Sequence, residues 1–227
     1  MTASLSPSVG WGVLHLFWQV GPGVDREAVL GAVKSAEADG HQVVGFAVLG
    51  HKADLGVMAL GPDLWRLRRL QGELAAAGLS LTASYVSLTE VSEYAPGISD
   101  RLKEHRLHPR LPPTGKPAVC FYPMSKRRGV DQNWYTLTYE ERRELMVGHG
   151  AVGRTYAGRV LQVVTGSTGL DDWEWGVTLF GRHPDDLKDV VYTMRFDEAS
   201  SVYAEFGPFY AGMVAPMEEV LAALGRP

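Results

Sequence analysis

The sequence predicts an α+β protein built from two copies of a βαββαβ unit. Three observations predict it. Strand-like and helix-like segments follow one another in the same order in both halves. The stretches ADLGVMALGPDLWRLRRL and DWEWGVTLFGRHPDDLKDVV each lead a strand into a Pro-Asp-(Asp)-Leu helix start. A proline-bearing stretch separates the two halves.

In the first half an apolar run, Trp11 to Val20, is followed by a helical segment near Asp25 to Ala38. Strand-like runs Val43 to Leu49 and Leu55 to Leu60 come next, then a helix near Pro62 to Ala77 and a strand Leu81 to Leu88. The second half repeats the order with Val119 to Tyr122, a helix Tyr139 to Gly148, runs Arg159 to Thr165 and Trp173 to Phe180, a helix Pro184 to Met194 and a strand near Ser201 to Phe206. A trailing helix, Pro216 to Leu224, would pack within or between subunits. The pattern is that of a duplicated ferredoxin-like fold: residues 1–92, a connection 93–117, and residues 118–227. The connection, from about Ser92 to Pro117, holds Pro96, Pro109, Pro112, Pro113 and Pro117 and shows no clear period, so it is either a long ordered link or a mobile flap.

Composition excludes several classes. With 45% hydrophobic residues the 227-residue chain can bury a sizeable core. No run approaches the about 18 apolar residues of a membrane span, and Met1 to Gly10 carries no signal-peptide pattern, so cytoplasm is the expected location. A net charge of −4 gives no footprint for nucleic acid. The single cysteine, Cys120, sits in an apolar run and reads as a core residue.

The chemistry concentrates in Cys120-Phe-Tyr-Pro-Met-Ser-Lys-Arg-Arg128 and in Gly148-His149-Gly150. An oxidisable phenol, several cations and a histidine at a helix end suit an iron porphyrin that carries carboxylates. Thr138 and Glu141 form a capping box that starts the helix, and Arg142, Leu145, Met146 and His149 then share its inward face. The flanking glycines are expected to let the chain stop there and a flat ligand approach. Gly148-His-Gly-Ala-Val-Gly153 matches a dinucleotide fingerprint, but it closes a helix instead of following a strand and opening one, so it is dismissed. Val160, Gln162 and Val164 point one way, placing a neutral amide in an apolar stripe, and Trp173, Trp175, Val177 and Leu179 are expected to share a face. Arg127 and Arg128 read as solvated, because consecutive side chains cannot all point inward. His15, His41, His51 and His183 read as structural or surface residues.

From about Arg106 to Gly212, and in the first half mainly at Gly50-His-Lys-Ala-Asp-Leu55, the chain resembles the coproheme decarboxylases, a branch of the chlorite dismutase superfamily. The resemblance implies a dimeric α+β barrel of duplicated ferredoxin-like units, assembled as a ring of five, with porphyrin only in the C-terminal half. It implies His149 as the iron ligand, Tyr122 as the catalytic radical residue and Gln162 at the distal position. Met124, Lys126, Trp134, Arg106, Arg195 and Ser200 are implied to line the pocket or hold propionates. The implied reaction is peroxide-driven decarboxylation of two propionates of Fe-coproporphyrin III (coproheme), which gives haem b. Hydrogen peroxide and coproheme are the implied partners, with transient contact to a coproporphyrin ferrochelatase. Arginine and lysine suit carboxylates physically, and Ser200 adds a neutral donor. A neutral Gln162 disfavours chlorite decomposition, which needs a distal cation. Since an amide cannot deprotonate peroxide, His105 is the candidate base, in the same connection as His108. The alternatives are a non-catalytic haem carrier or sensor and a chlorite dismutase-like haem enzyme.

Overall fold

The computed structural model describes residues 3–95 and 97–224; Pro96 and the extreme chain ends lie outside the described residues. In the first half, β1 (Gly12–Gln19), α1 (Arg26–Ala38), β2 (Gln42–Val48), β3 (Leu55–Gly61), α2 (Leu64–Ala76) and β4 (Ser80–Thr89) follow in the expected order. Asp25 and Asp63 cap the two helices by accepting the backbone N–H groups of Ala28 and Trp65. In the second half come β5 (Ala118–Lys126), α4 (Tyr139–Arg154), β6 (Val160–Gly166), β7 (Trp175–Gly181) and α5 (Pro184–Met194), with Pro184 in the first turn of α5.

The protein is α+β with one large antiparallel sheet. Strand order runs β4-β1-β3-β2 in the first half, and β5, β6 and β7 take the matching places in the second. The fourth place is filled by two short strands, β8 (Ala204–Phe206) and β9 (Tyr210–Val214), both paired to β5. The halves join where β4 meets β6 and where β2 meets β9. Because β5 also pairs with β7, the sheet closes on itself.

Closure gives the sheet an inner and an outer face. Val13, Phe17, Phe46, Tyr85, Phe121, Phe180 and Tyr210 fill the inside. Outside the first half, α1, α2 and the trailing helix α7 (Met217–Leu224) cover the strands through Val29, Val33, Leu67, Leu70, Leu74 and Val220. The trailing helix therefore packs within the chain, against β2 and α1.

Four expectations need correction. The strand at Val119 does not stop at Tyr122 but runs to Lys126 through Pro123. Proline lacks a donor, and the ladder tolerates it because the neighbouring strand is interrupted at this point, between β8 and β9. The connection contains a helix, α3 (Asp100–Leu107), and it is ordered: Thr89 Oγ1 donates to the Leu107 carbonyl at 2.8 Å, and the Gln42 side chain bonds Pro109 and Leu111. The strand expected near Ser201 to Phe206 is confined to Ala204–Phe206, and a short helix, α6 (Glu198–Ser201), precedes it. Trp173 lies before β7 and packs with the inner cluster instead of sharing a face with Val177 and Leu179.

Candidate functional site

The two halves differ in how their helices meet the sheet. In the first half α1 buries Val29, Ala32, Val33 and Ala36. Its counterpart α4 buries nothing completely, although Arg142, Leu145, Met146 and His149 lie on one partly covered stripe. The outer sheet face beneath is covered in part by α5 and Tyr156, which pack on Cys120, Tyr122, Val177 and Leu179. Val164 on β6 stays exposed. A helix whose inward stripe is only partly covered by protein leaves space for a flat ligand.

α4 starts as expected: Thr138 N donates to Glu141 Oε2 at 2.7 Å, and Glu141 N donates back to Thr138 Oγ1 at 3.3 Å. It does not end at Gly148, however, but continues through Gly150 and Gly153 to Arg154, because these glycines keep ordinary helical backbone angles. The fingerprint-like glycines thus sit inside a helix. A Cβ at Gly148 or Gly153 would meet no atom within 4 Å. Helical glycines cost about 1 kcal/mol each relative to alanine, and no neighbouring protein atom requires them here.

His149 is held in one orientation. Its Nδ1 lies 2.8 Å from Asp197 Oδ2, and since a carboxylate only accepts, Nδ1–H is the donor. Nε2 has no hydrogen-bond partner among the described residues and is left to face a metal. Asp197 is 7% exposed and also caps α6 by accepting the Ser200 N–H at 3.2 Å. Ser200 Oγ lies 3.5 Å from the same imidazole nitrogen. Lys126 joins this group: its Nζ donates to the Ala199 carbonyl at 2.6 Å and lies 4.0 Å from the centre of the Trp134 ring. Burial pulls its ammonium down to about 8, although nearby Asp197 and Glu174 work against that.

Tyr122 and Lys126 are on the same face of β5, together with Met124, about 13 Å apart at the end positions by the strand rise. Tyr122 is buried, its ring stacked on Phe209 at 4.5 Å and edge-on to Phe206 at 5.8 Å. Burial raises its phenol above the ordinary range, with Cys120 adding to this and Arg195 opposing it. The phenol therefore stays protonated at neutral pH. Arg195 is exposed, 5.4 Å from the Phe206 ring centre, and has no ion pair among the described residues. Across the sheet, Val177 stands opposite both Tyr122 and Val164, and Gln162 stands opposite Leu179, one row away. Gln162 is exposed on β6.

The structure therefore brings together His149, Lys126, Trp134 and Ser200 in one group, and Tyr122 with Arg195 in another on the same sheet face. Arg106 and His105 lie exposed on α3, and no described bond joins either to these groups. Asp197, Phe206 and Phe209 were missed in the sequence. Asp197 carried a signal as a helix-capping residue before Glu198, but its pairing with a histidine 48 residues away did not.

Comparison with known proteins fits this geometry. The chlorite dismutase family model matches residues 26–215. The chain belongs to the chlorite dismutase family. It is 40% identical to a coproheme decarboxylase of Staphylococcus carnosus, over 96% of each chain. A relative from Natronomonas pharaonis, provisionally named a heme-binding protein, is 44% identical over 89% of this chain, which spans only 39% of that longer protein. Among solved structures, a heme-binding protein from Thermus thermophilus superposes with a TM-score of 0.87 at 38% identity, covering 100% of this chain and 98% of the other. A mutant chlorite dismutase from Candidatus Nitrospira defluvii shares the fold, with a TM-score of 0.77 at 20% identity over 96% of this chain and 97% of the other. Among the described residues no helix is long and apolar enough to cross a membrane.

Proposed function

We propose that this chain is a coproheme decarboxylase, an enzyme that uses hydrogen peroxide to convert two propionates of Fe-coproporphyrin III into vinyl groups and so forms haem b. One observation carries the reading. The partly covered stripe of α4 carries His149, fixed by Asp197 in the same group as Lys126, whose strand also bears Tyr122. The identity to the Staphylococcus carnosus enzyme supports it.

In this reading the half from 118 to 227 holds the porphyrin and the half from 1 to 92 does not, because α1 already covers its own strands. His149 Nε2 ligates iron, and its other nitrogen is held by the carboxylate. Lys126, Arg195, Ser200 and, from α3, Arg106 receive propionates, while Met124 and Trp134 line the cavity. Gln162 would offer a neutral amide to the bound porphyrin, at the position where the family resemblance expects a chlorite-decomposing site to carry a cation. Bound iron supplies the oxidising power of peroxide. Tyr122, protonated at rest, loses its hydrogen as a proton and an electron, and the resulting neutral radical removes a hydrogen atom from a propionate β-carbon. Loss of one further electron breaks the bond to the carboxylate, releasing CO2 and leaving a vinyl. Each propionate gives up two electrons and each peroxide takes two, so two peroxides are consumed, with a three-propionate species between them. We place the enzyme in the cytoplasm as a ring of five that receives coproheme from a ferrochelatase; the family resemblance supports this placement and assembly.

The test is to load the protein with ferric coproheme, titrate peroxide in known ratios and follow the porphyrin by mass spectrometry beside Tyr122→Phe. Stepwise loss of two carboxyl groups in the wild type, blocked in the variant, is expected. Coproheme that binds but only bleaches in both proteins would overturn the reading in favour of a carrier.

A further inference from the structure

The segment Gly50 to Leu55 is where the first half chiefly resembles the family, yet none of the roles above uses it. It forms the turn between β2 and β3, and the turn is firmly bonded. Val48 N donates to the Asp54 carbonyl, Asp54 N to the Trp18 carbonyl, and Val20 N to the Asp54 carboxylate, each at 2.8 Å. Leu49 N reaches the Ala211 carbonyl at 2.8 Å, which prolongs the pairing of β2 with β9.

From this fixed turn Lys52 crosses to the other half. Its Nζ donates to the Phe209 carbonyl at 2.7 Å and lies 5.6 Å from the Tyr210 ring centre. Phe209 belongs to the three residues that bridge β8 and β9, the point where Pro123 interrupts the ladder. Gly207 N donates to the Pro123 carbonyl at 2.8 Å, and a side chain at Gly207 would come within 2.7 Å of Pro123 and 2.9 Å of Trp173. The bridge is thus pinned at Gly207 on one side and at Phe209 by Lys52 on the other. Between these pins the Phe209 ring stacks on Tyr122 with an interplanar angle of 23°.

We propose that Lys52 is a positioning residue for Tyr122: by holding the Phe209 carbonyl it fixes the ring that sets the tilt of the phenol. The half without porphyrin thereby aligns the radical residue of the other. This rests on the function proposed above and deepens it. Lys52 is exposed, and what sets it apart is that the carbonyl it holds belongs to the residue whose ring stacks on Tyr122. A charge-assisted bond at an exposed position contributes direction more than stability.

The test uses the full chain with 3-fluorotyrosine at position 122, read by fluorine NMR without porphyrin, and the same variants with ferric coproheme and peroxide. Lys52→Met and Phe209→Leu are expected to shift or broaden the resonance in the same way, and Lys52→Arg to restore it. Product formed per unit time should fall roughly tenfold in Lys52→Met, as small misplacements of reacting groups do. Coproheme affinity should stay within about twofold, because among the described residues Lys52 contacts only Phe209 and Tyr210 and none of the residues proposed to hold propionates or iron. The double variant should be no worse than either single one. An unchanged resonance in Lys52→Met, failure of arginine to rescue, or equal loss of affinity and turnover would overturn the proposal. If the wild type does not decarboxylate coproheme at all, the functional reading fails, while the fluorine signal still decides whether Lys52 governs the ring.

Discussion

Asp197 does two jobs with one carboxylate, capping α6 and orienting His149. Asparagine keeps the cap but loses the charge, so Asp197→Asn should leave the melting temperature nearly unchanged. Porphyrin affinity, measured by absorbance titration, should fall about 10- to 100-fold, the usual cost of losing such a partner. Lys126 makes a second prediction. Its ammonium is depressed to about 8, so below that pH the unliganded protein already carries the charge that a propionate needs. Above it, binding must first take up a proton. Coproheme affinity should therefore decline as pH rises beyond about 8 in the wild type and show no such step in Lys126→Met, which binds more weakly throughout. Tyr122 and His149 were singled out as candidates in the sequence by chemistry and local spacing. Asp197 was not, because nothing local ties residue 197 to residue 149.

Elements with a cap and a period were read well. Pro184 opens α5 where expected, and Thr138 with Glu141 opens α4. α3 escaped because none of its residues is buried, so it has no apolar period to detect. β9 escaped because it is short and contains Gly212, a residue that reads against a strand but is needed where the Ala47 carbonyl crowds in. The end of α4 was misplaced because glycine is the usual stop signal, and here three glycines stay helical. Gly153 lies one turn beyond His149. Gly153→Ala should raise the stability of the porphyrin-free protein by about 1 kcal/mol in denaturant titrations. If the space beside it belongs to the ligand, the same variant should bind coproheme more weakly.

At the scale of the molecule, the repeated order of elements was legible from pattern, whereas the closure of the sheet was implied only by the family resemblance, since pairing of β5 with β7 and of β4 with β6 depends on contacts distant in sequence. Closure also buries His15 completely. Its Nε2 meets Thr178 Oγ1 at 2.9 Å and its ring stacks on Phe121 at 4.1 Å, so burial pulls its pKa from 6.5 to about 3. The unfolded chain takes up this proton first. The stability that the neutral imidazole contributes is complete above pH 6.5 and is lost as pH falls toward 3. His15→Gln should remove up to about 1.4 kcal/mol per pH unit from the acid slope of unfolding free energy.

The seams of the closed sheet have their own consequence. Among the described residues, Leu88 with Gly166 and Thr89 with Thr165 are the only register pairs between β4 and β6, against a full strand length within each half. Cooperative units tend to part along such boundaries. Backbone amides at the seams should exchange with deuterium through partial openings cheaper than global unfolding, while those of β1 and β3 exchange only with it. On the function proposed above, the half from 118 to 227 would then breathe on its own, loosening to admit a rigid macrocycle while its twin keeps its own strand pairing.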